Sequence, residues 1–318
     1  MLQLRGPSPS PYRPAVLFRS FASMLKIALP NKGRLADDAR ELFADAGLEV
    51  RALGPRALTA SLGGEFEAIF VRAQDVAEFV ADGAADAGVT GWDLVCESER
   101  ALDVLLDLEF GRCRIVVAAK EDSGVASLAD VTAGARVATV FPRVTRRFLE
   151  GAGIAAEIVP VSGAVEVAPH LGIADIIVDL TSTGSTLRVN GLREVATVLE
   201  SSARLVTARG VAAMGGGGEK RRALDELVTA LGSVLRARGR RYLMANVPRA
   251  ALDRVKEVLP GLNGPTVIDI FNGGAPGAST HVAVHAVVSA NAIYRTISQL
   301  KALGGEGILV TRIERLMP

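Results

Sequence analysis

Residues 163–187 read GAVEVAPHLGIADIIVDLTSTGSTL, and the fold turns on them. Their centre, Ile176, Ile177 and Val178, is a short β-branched run, the signature of a strand buried on both faces. Asp179 follows. Thr181, Ser182, Thr183, Gly184, Ser185 and Thr186 then form a hydroxyl-rich turn before Leu187 resumes the apolar pattern. A strand that passes through such a turn into a helix start aims several backbone N–H groups at one point, which is how a protein holds a phosphate. The hydroxyls add donors, and Gly184 lets the backbone approach closely. A carboxylate beside a phosphate is repelled by it, so Asp179 is expected to serve the neighbouring hydroxyls of a sugar. Phosphate plus vicinal diol reads as a ribose phosphate. A plain Ser/Thr-rich turn is the other reading of the same residues.

Outward from this stretch, short apolar runs alternate with helical spacing. Strands are expected over 25–29, 68–71, 87–91, 115–119, 136–140 and 154–159, with helices over 35–46 and 75–82 and from Pro142 onward. The alternation predicts a parallel α/β sheet. The chain is expected to cross into a second α/β lobe near Cys113 and to return near 195–206, leaving a ligand cleft between lobes. Lys32 and Arg34 occupy a tight basic turn at the carboxyl end of the first strand, where open α/β sheets place ligands. Arg72 and Asp93 follow two further strands and are expected on the same edge. Gly88 and Gly91 leave room there for a flat ligand or a close backbone, and Trp92 reads as a core or rim residue.

The bulk numbers narrow the function. The chain has 318 residues, 49% apolar and 22% charged, with a net charge of +1. That balance gives no reason to expect nucleic acid or an acidic membrane as partner, and no apolar run reaches the ~18 residues of a membrane span. Cys96 and Cys113 fit no metal or disulfide spacing, so they read as free thiols in a reducing cytoplasm.

Residues 1–23 are rich in Pro, Ser and Arg, contain no acid, and read as a disordered extension. After the glycine run 215–218, a helix from Glu219 carries the stripe Leu224, Leu227, Val228, Leu231 and Leu235. From Arg241 the order is strand, helix, strand, Gly-rich turn over 272–279, strand, helix, strand. That βαββαβ order is the ferredoxin-like arrangement. His281 and His285 share one strand face there and lack a third metal ligand, so they read as structural.

Several segments together are recognisable. LPNKGRL (29–35), VRAQDV (71–76), ADAGVTGWDL (85–94), EFGRCR (109–114), GAVEVAP (163–169) and ADIIVDLTSTGSTLRVNGLREVATV (174–198) each resemble segments of the ATP phosphoribosyltransferase family. The tail QLKALGGEGILVTRIERLM (299–317) resembles the regulatory domain of that family's long form. The resemblance implies an α/β fold: a two-lobed, periplasmic-binding-protein-like catalytic part plus a C-terminal ferredoxin-like (ACT-like) regulatory domain. The corresponding division is 24–112 plus 196–212 for lobe I, 113–195 for lobe II, 213–240 for a linker helix and 241–318 for the regulatory domain. It also implies a reaction, the first of histidine biosynthesis. N1 of ATP attacks C1 of phosphoribosyl pyrophosphate with inversion, and pyrophosphate leaves.

That chemistry needs no strong base, because the nucleophile is a neutral ring nitrogen with a free lone pair. It needs two polyanions held in line, and support for a cationic sugar and a departing pyrophosphate. On this reading Thr181, Ser182, Thr183, Gly184, Ser185 and Thr186 hold the donor's 5-phosphate, while Asp179 and Glu166 bind or support the ribose. Lys32, Arg34 and Arg56 are the candidates for pyrophosphate and triphosphate oxygens. Arg72, Gly91 and Asp93 line the adenine-nucleotide side. Mg²⁺ is expected to be held mainly by substrate phosphates, with no direct protein cluster. The long form further implies feedback inhibition by L-histidine, with Asn246, Thr266 and Gly307 near the effector site, and a homodimer assembling into a hexamer. A two-lobed small-molecule binding protein, or a phosphoribosyltransferase for another base, is the alternative.

Overall fold

A computed structural model describes residues 24–317 except 53, 55, 56, 64, 65, 212–217, 262, 263 and 272–279. Four readings from the sequence therefore lie outside the described residues: Arg56, the extension 1–23, most of the glycine run before Glu219, and the turn 272–279.

The chain opens with β1 (Leu25–Pro30), α1 (Ala36–Asp45), β2 (Arg51–Ala52), β3 (Thr59–Ser61), β4 (Phe66–Val71), α2 (Val76–Ala81), β5 (Ala87–Gly91), α3 (Trp92–Ser98) and β6 (Leu102–Asp107). It crosses to β7 (Cys113–Lys120), β8 (Ala135–Thr139), α4 (Pro142–Gly151), β9 (Ala156–Pro160), β10 (Ile176–Thr181), α5 (Ser185–Val189) and β11 (Leu192–Ser201), and returns in β12 (Ala203–Ala208). Two sheets result, in the orders β2-β3-β4-β1-β5-β12-β6 and β11-β7-β10-β8-β9. Burial explains the centre of each. Every residue of β1 but Lys26 is buried between β4 and β5, and Ile176, Ile177 and Val178 of β10 are fully covered between β7 and β8.

Two expectations need correction. The sheets are mixed, not parallel: β7 runs antiparallel to both β10 and β11, and β12 runs antiparallel to β5 and β6. These are the strands flanking the crossings, and a strand entering a sheet from its neighbour lobe meets the ladder from the opposite direction. The return to lobe I also comes later than 195/196. β11 pairs with β7 through Ser201, so lobe II keeps the chain to that residue and only Ser202 intervenes before β12. The outgoing crossing, 108–112, lies beside it, and Leu108 N–H donates to Ala203 O while Ala203 N–H donates to Phe110 O, both at 2.9 Å.

Helix α6 (Glu219–Ala237) is more than a linker. Leu224, Leu227, Leu231 and Leu235 bury the expected stripe, in one core cluster with Leu42 and Phe43 of α1 and Ile27 of β1. At roughly 1.5–3 kcal/mol per buried leucine, this docks the helix on lobe I.

The remainder folds as β13 (Arg240–Pro248), α7 (Leu252–Val258), β14 (Thr266–Asp269), β15 (His281–Ser289), α8 (Ile293–Ala302) and β16 (Glu306–Arg312), with sheet order β14-β15-β13-β16. That is the ferredoxin-like βαββαβ topology. Alternation in β13 and β15 turns Leu243, Ala245, Val247, Val282, Val284 and Ala286 into a core shared with the two helices. The other sheet face is not covered by those helices. Residues after β16 return to α6, where Leu316 N–H donates to Ser233 O and Arg236 donates to Leu316 O.

Candidate active site

The donor end is built on β10. Pairing puts Asp179 opposite Val116 and Thr181 opposite Arg114, so these four side chains share one sheet face. The short 3₁₀ turn Val165–Val167, carrying Glu166, and α5 with its buried Leu187 cover that face. The turn between β10 and α5 closes on itself. Gly184 N–H donates to Thr181 Oγ1 at 2.8 Å, Thr183 and Ser185 hydroxyls pair at 3.0 Å, and Gly184 adopts φ +73°. Thr181 is therefore a buried brace, and the Gly184 amide that was expected to bind phosphate is engaged by it. Ser182, Thr183, Ser185 and Thr186 are exposed, with their side chains at the surface of the turn.

Asp179 and Glu166 are brought together as expected. Burial pushes the Asp179 carboxyl up to about 6, the Leu180 N–H donating to its Oδ1 at 2.8 Å opposes this, and the nearby Glu166 charge adds to the rise. At neutral pH Asp179 is an ionised, half-buried acceptor. Among the described residues no three acidic, His or Cys side chains gather to hold a metal.

On lobe I, β4, β1 and β5 are neighbours, so their carboxyl ends bring Arg72, the Lys32–Arg34 turn and Gly91 to one edge. Lys32 and Arg72 are exposed. Asp93 and Gly91 do not line an open site. Asp93 is 1% exposed; Ser201 donates to its Oδ1 at 2.5 Å, and Arg34 Nη2 lies 3.5 Å from the same atom. A Cβ at Gly91 would collide with that carboxylate, so the glycine makes room for Asp93 rather than for a ligand. Arg34 also donates to Gly111 O in the outgoing crossing. Arg34 and Asp93 thus clasp the β1 turn to the outgoing crossing and to Ser201, the last residue of β11.

A polar cavity of about 330 Å³ lies between the lobes, lined by Ser182 of the turn together with Asp107, Arg112, Cys113, Arg114, Glu200, Ser201, Ser202 and Arg204. The sequence reading missed Arg112, Arg114, Glu200 and Arg204. The basic GRCR run was visible at 111–114, but which strand faces which depends on register. Cys113 is buried and Cys96 half-buried; both are free, and burial pushes both thiols up, so they are poor nucleophiles.

In the C-terminal sheet, Asn246 and Gly307 meet, since a Cβ on Gly307 would lie 3.2 Å from Asn246 Nδ2. Thr266 pairs with His285 on the far side of β15. The three share the sheet but only two adjoin. His285 is engaged by the Tyr242 hydroxyl and ring, with centroids 5.7 Å apart.

The HisG family, ATP phosphoribosyltransferase, matches residues 72–233, and the HisG C-terminal domain matches 237–315. A protein from Gemmatimonas aurantiaca described as ATP phosphoribosyltransferase is 72% identical over 298 residues, covering 93% of this chain and all of that one. One from Natronomonas pharaonis with the same description is 48% identical over 295 residues, covering 92% and 100%. Among solved structures, the Thermotoga maritima ATP phosphoribosyl transferase (HisG:HisZ) complex superposes with TM-score 0.57 at 29% identity, over 66% of this chain and 97% of that one. Two family matches in chain order and near-complete coverage lead to one conclusion: the chain belongs to the ATP phosphoribosyltransferase family.

Proposed function

We propose that the cleft binds phosphoribosyl pyrophosphate on lobe II and ATP against lobe I, and joins N1 of the adenine to C1 of the ribose with loss of pyrophosphate. Membership in the family makes this the first step of histidine biosynthesis. The observation that carries the residue assignment is a half-buried Asp179 directly before a hydroxyl turn whose Ser182 opens on the interlobe cavity.

Asp179, ionised at neutral pH, accepts the ribose diol hydroxyls, and Glu166 beside it adds negative potential where the sugar becomes cationic. Such preorganised electrostatic support is worth about 3–4 kcal/mol of barrier. The hydroxyls of Ser182, Thr183, Ser185 and Thr186, with the turn's remaining N–H groups, hold the 5-phosphate. Lys32 and Arg72 supply cations for polyphosphate oxygens, while Arg34, drawn to Asp93, fixes the β1 turn. Mg²⁺, when bound, would neutralise pyrophosphate oxygens as they depart. Asp179 and Glu166 would be its side-chain contacts, and because no three acidic, His or Cys side chains among the described residues gather to hold a metal, the ion would rest mainly on substrate oxygens and water.

On the C-terminal sheet, the uncovered face carrying Asn246 and the exposed Ile268 and Leu309 supports a role in L-histidine binding and in assembly of dimers into hexamers. A cytoplasmic enzyme fits this reading; no helix among the described residues is long and apolar enough to cross a membrane.

Incubation of the purified chain with ATP, phosphoribosyl pyrophosphate and Mg²⁺ is the test. Phosphoribosyl-ATP and pyrophosphate are expected in equal amounts. Neither product, or faster turnover with orotate, hypoxanthine or quinolinate in place of ATP, overturns the proposal.

A further inference from the structure

Residues 181–186 include no basic side chain. Besides the Arg188 guanidinium, whose Nη1 lies 3.0 Å from where a Cβ of Gly184 would be, three carboxylates stand at or near the turn: Asp179, Glu166 and Glu194. Glu194 is the unexplained one. It stands on β11, and its Oε1 lies 2.8 Å from where a Cβ of Gly184 would be, directly against the bend of the turn. An acid at that place should repel the phosphate that the turn is built to receive.

Arg114 resolves the conflict. It sits on β7, opposite Thr181 of β10, and its guanidinium grips Glu194 with both nitrogens, Nη1 to Oε2 at 2.8 Å and Nη2 to Oε1 at 3.1 Å. Both side chains are about one-third exposed, 33% and 32%, and Arg114 also lines the interlobe cavity next to Ser182. A fork-to-fork pair of this kind fixes orientation as well as charge. Arg188, the other guanidinium beside Gly184, forms no ion pair among the described residues and leaves Glu194 to Arg114.

We propose that Arg114 is a positioning residue for the donor phosphate: by locking and neutralising Glu194 beneath Gly184, it shapes the turn and removes a charge that would otherwise oppose phosphate binding. The inference rests on the phosphoribosyl-transfer reading above. It makes the two members of the pair unequal. Loss of Arg114 leaves Glu194 bare against the turn, whereas loss of both leaves the turn unsupported but uncharged.

The experiment is a charge cycle on the full chain, with KM for phosphoribosyl pyrophosphate, KM for ATP and kcat measured for wild type, Arg114→Met, Arg114→Lys, Glu194→Gln and the double variant. Arg114→Met should raise the donor KM about tenfold, the size of one charge interaction across a half-exposed site, with the ATP KM within about twofold of wild type. Arg114→Lys should recover part of the loss, and the double variant should be less impaired than Arg114→Met. Ribose 5-phosphate titrated calorimetrically into each variant gives the same ranking without turnover. An unchanged donor KM in Arg114→Met, equal effects on both substrates, or a double variant as impaired as the single one overturns the inference. Wild type that makes no phosphoribosyl-ATP would instead sink the underlying reading.

Discussion

The two ends of the cleft are built on different plans. On β10, the polar groups hold one another: Thr181 takes the Gly184 amide, Thr183 pairs with Ser185, and Arg114 grips Glu194 underneath. On the edge formed by β4, β1 and β5, Lys32 and Arg72 reach into solvent, and Arg34 is drawn away to Asp93 and Gly111. On the assignment proposed above, a self-bonded pocket on β10 suits the donor, whose phosphate and diol must be fixed relative to a single carbon. A fringe of long cations suits a triphosphate, which tolerates many geometries. Preorganisation lowers the ordering cost of binding, so substitutions on the β10 side should act more sharply than those on the lobe I edge.

The largest break should come from Asp179→Asn. We expect kcat/KM for phosphoribosyl pyrophosphate to fall about 100-fold with far-ultraviolet circular dichroism unchanged. The pH profile sharpens the point. With Asp179 titrating at about 6, wild-type kcat/KM should drop tenfold per pH unit below that value, and Glu166→Gln should move the break to lower pH by removing a like charge. An unmoved break in Glu166→Gln would show that another group controls it.

Next in size is Gly184→Ala, which places a Cβ at φ +73° and within 2.8 Å of Glu194. A donor KM about tenfold higher is expected, together with a stability loss of about 1–2 kcal/mol in urea unfolding. Lys32→Met, by contrast, should raise the ATP KM only about threefold, since one exposed cation of several is lost. If Lys32→Met proves as damaging as Gly184→Ala, the contrast between a rigid end and a loose end fails.

The smallest expected effect concerns stability. The folded chain holds the Asp179 proton more tightly than an unfolded chain does, so the ionised carboxylate costs stability above pH 6. Asp179→Asn should therefore stabilise the fold at pH 7 by about 1–2 kcal/mol, raising Tm by about 2–4 °C, with the gain shrinking as pH falls from 6 towards 4. Calorimetry at pH 7 and pH 4 measures the difference.

Much of this was legible from residue order, for identifiable reasons. Ile176, Ile177 and Val178 can be covered on both faces only within a central strand, and the leucines of α6 recur at helical spacing, so local pattern and tertiary burial agree. The C-terminal βαββαβ order was equally plain. What stayed hidden depends on register and direction. That β7 runs antiparallel, that the return falls after Ser201, and that Arg114 faces Glu194 are consequences of pairing between residues far apart in sequence. Asp93 followed the pattern of a ligand, a polar group just past a strand end, yet burial made it a clasp. Linear order reveals an acid at that edge but not whether it points out or in.

The paired crossings have a mechanical consequence. Because Ala203 is bonded to both Leu108 and Phe110, the two connections form one ribbon rather than two independent strings. A ribbon flexes about its broad face and resists sliding within its plane, so the lobes should swing towards each other like a book about its spine, with little shear. Deuterium uptake at the Ala203 amide should then remain slow whether the lobes stand open or closed.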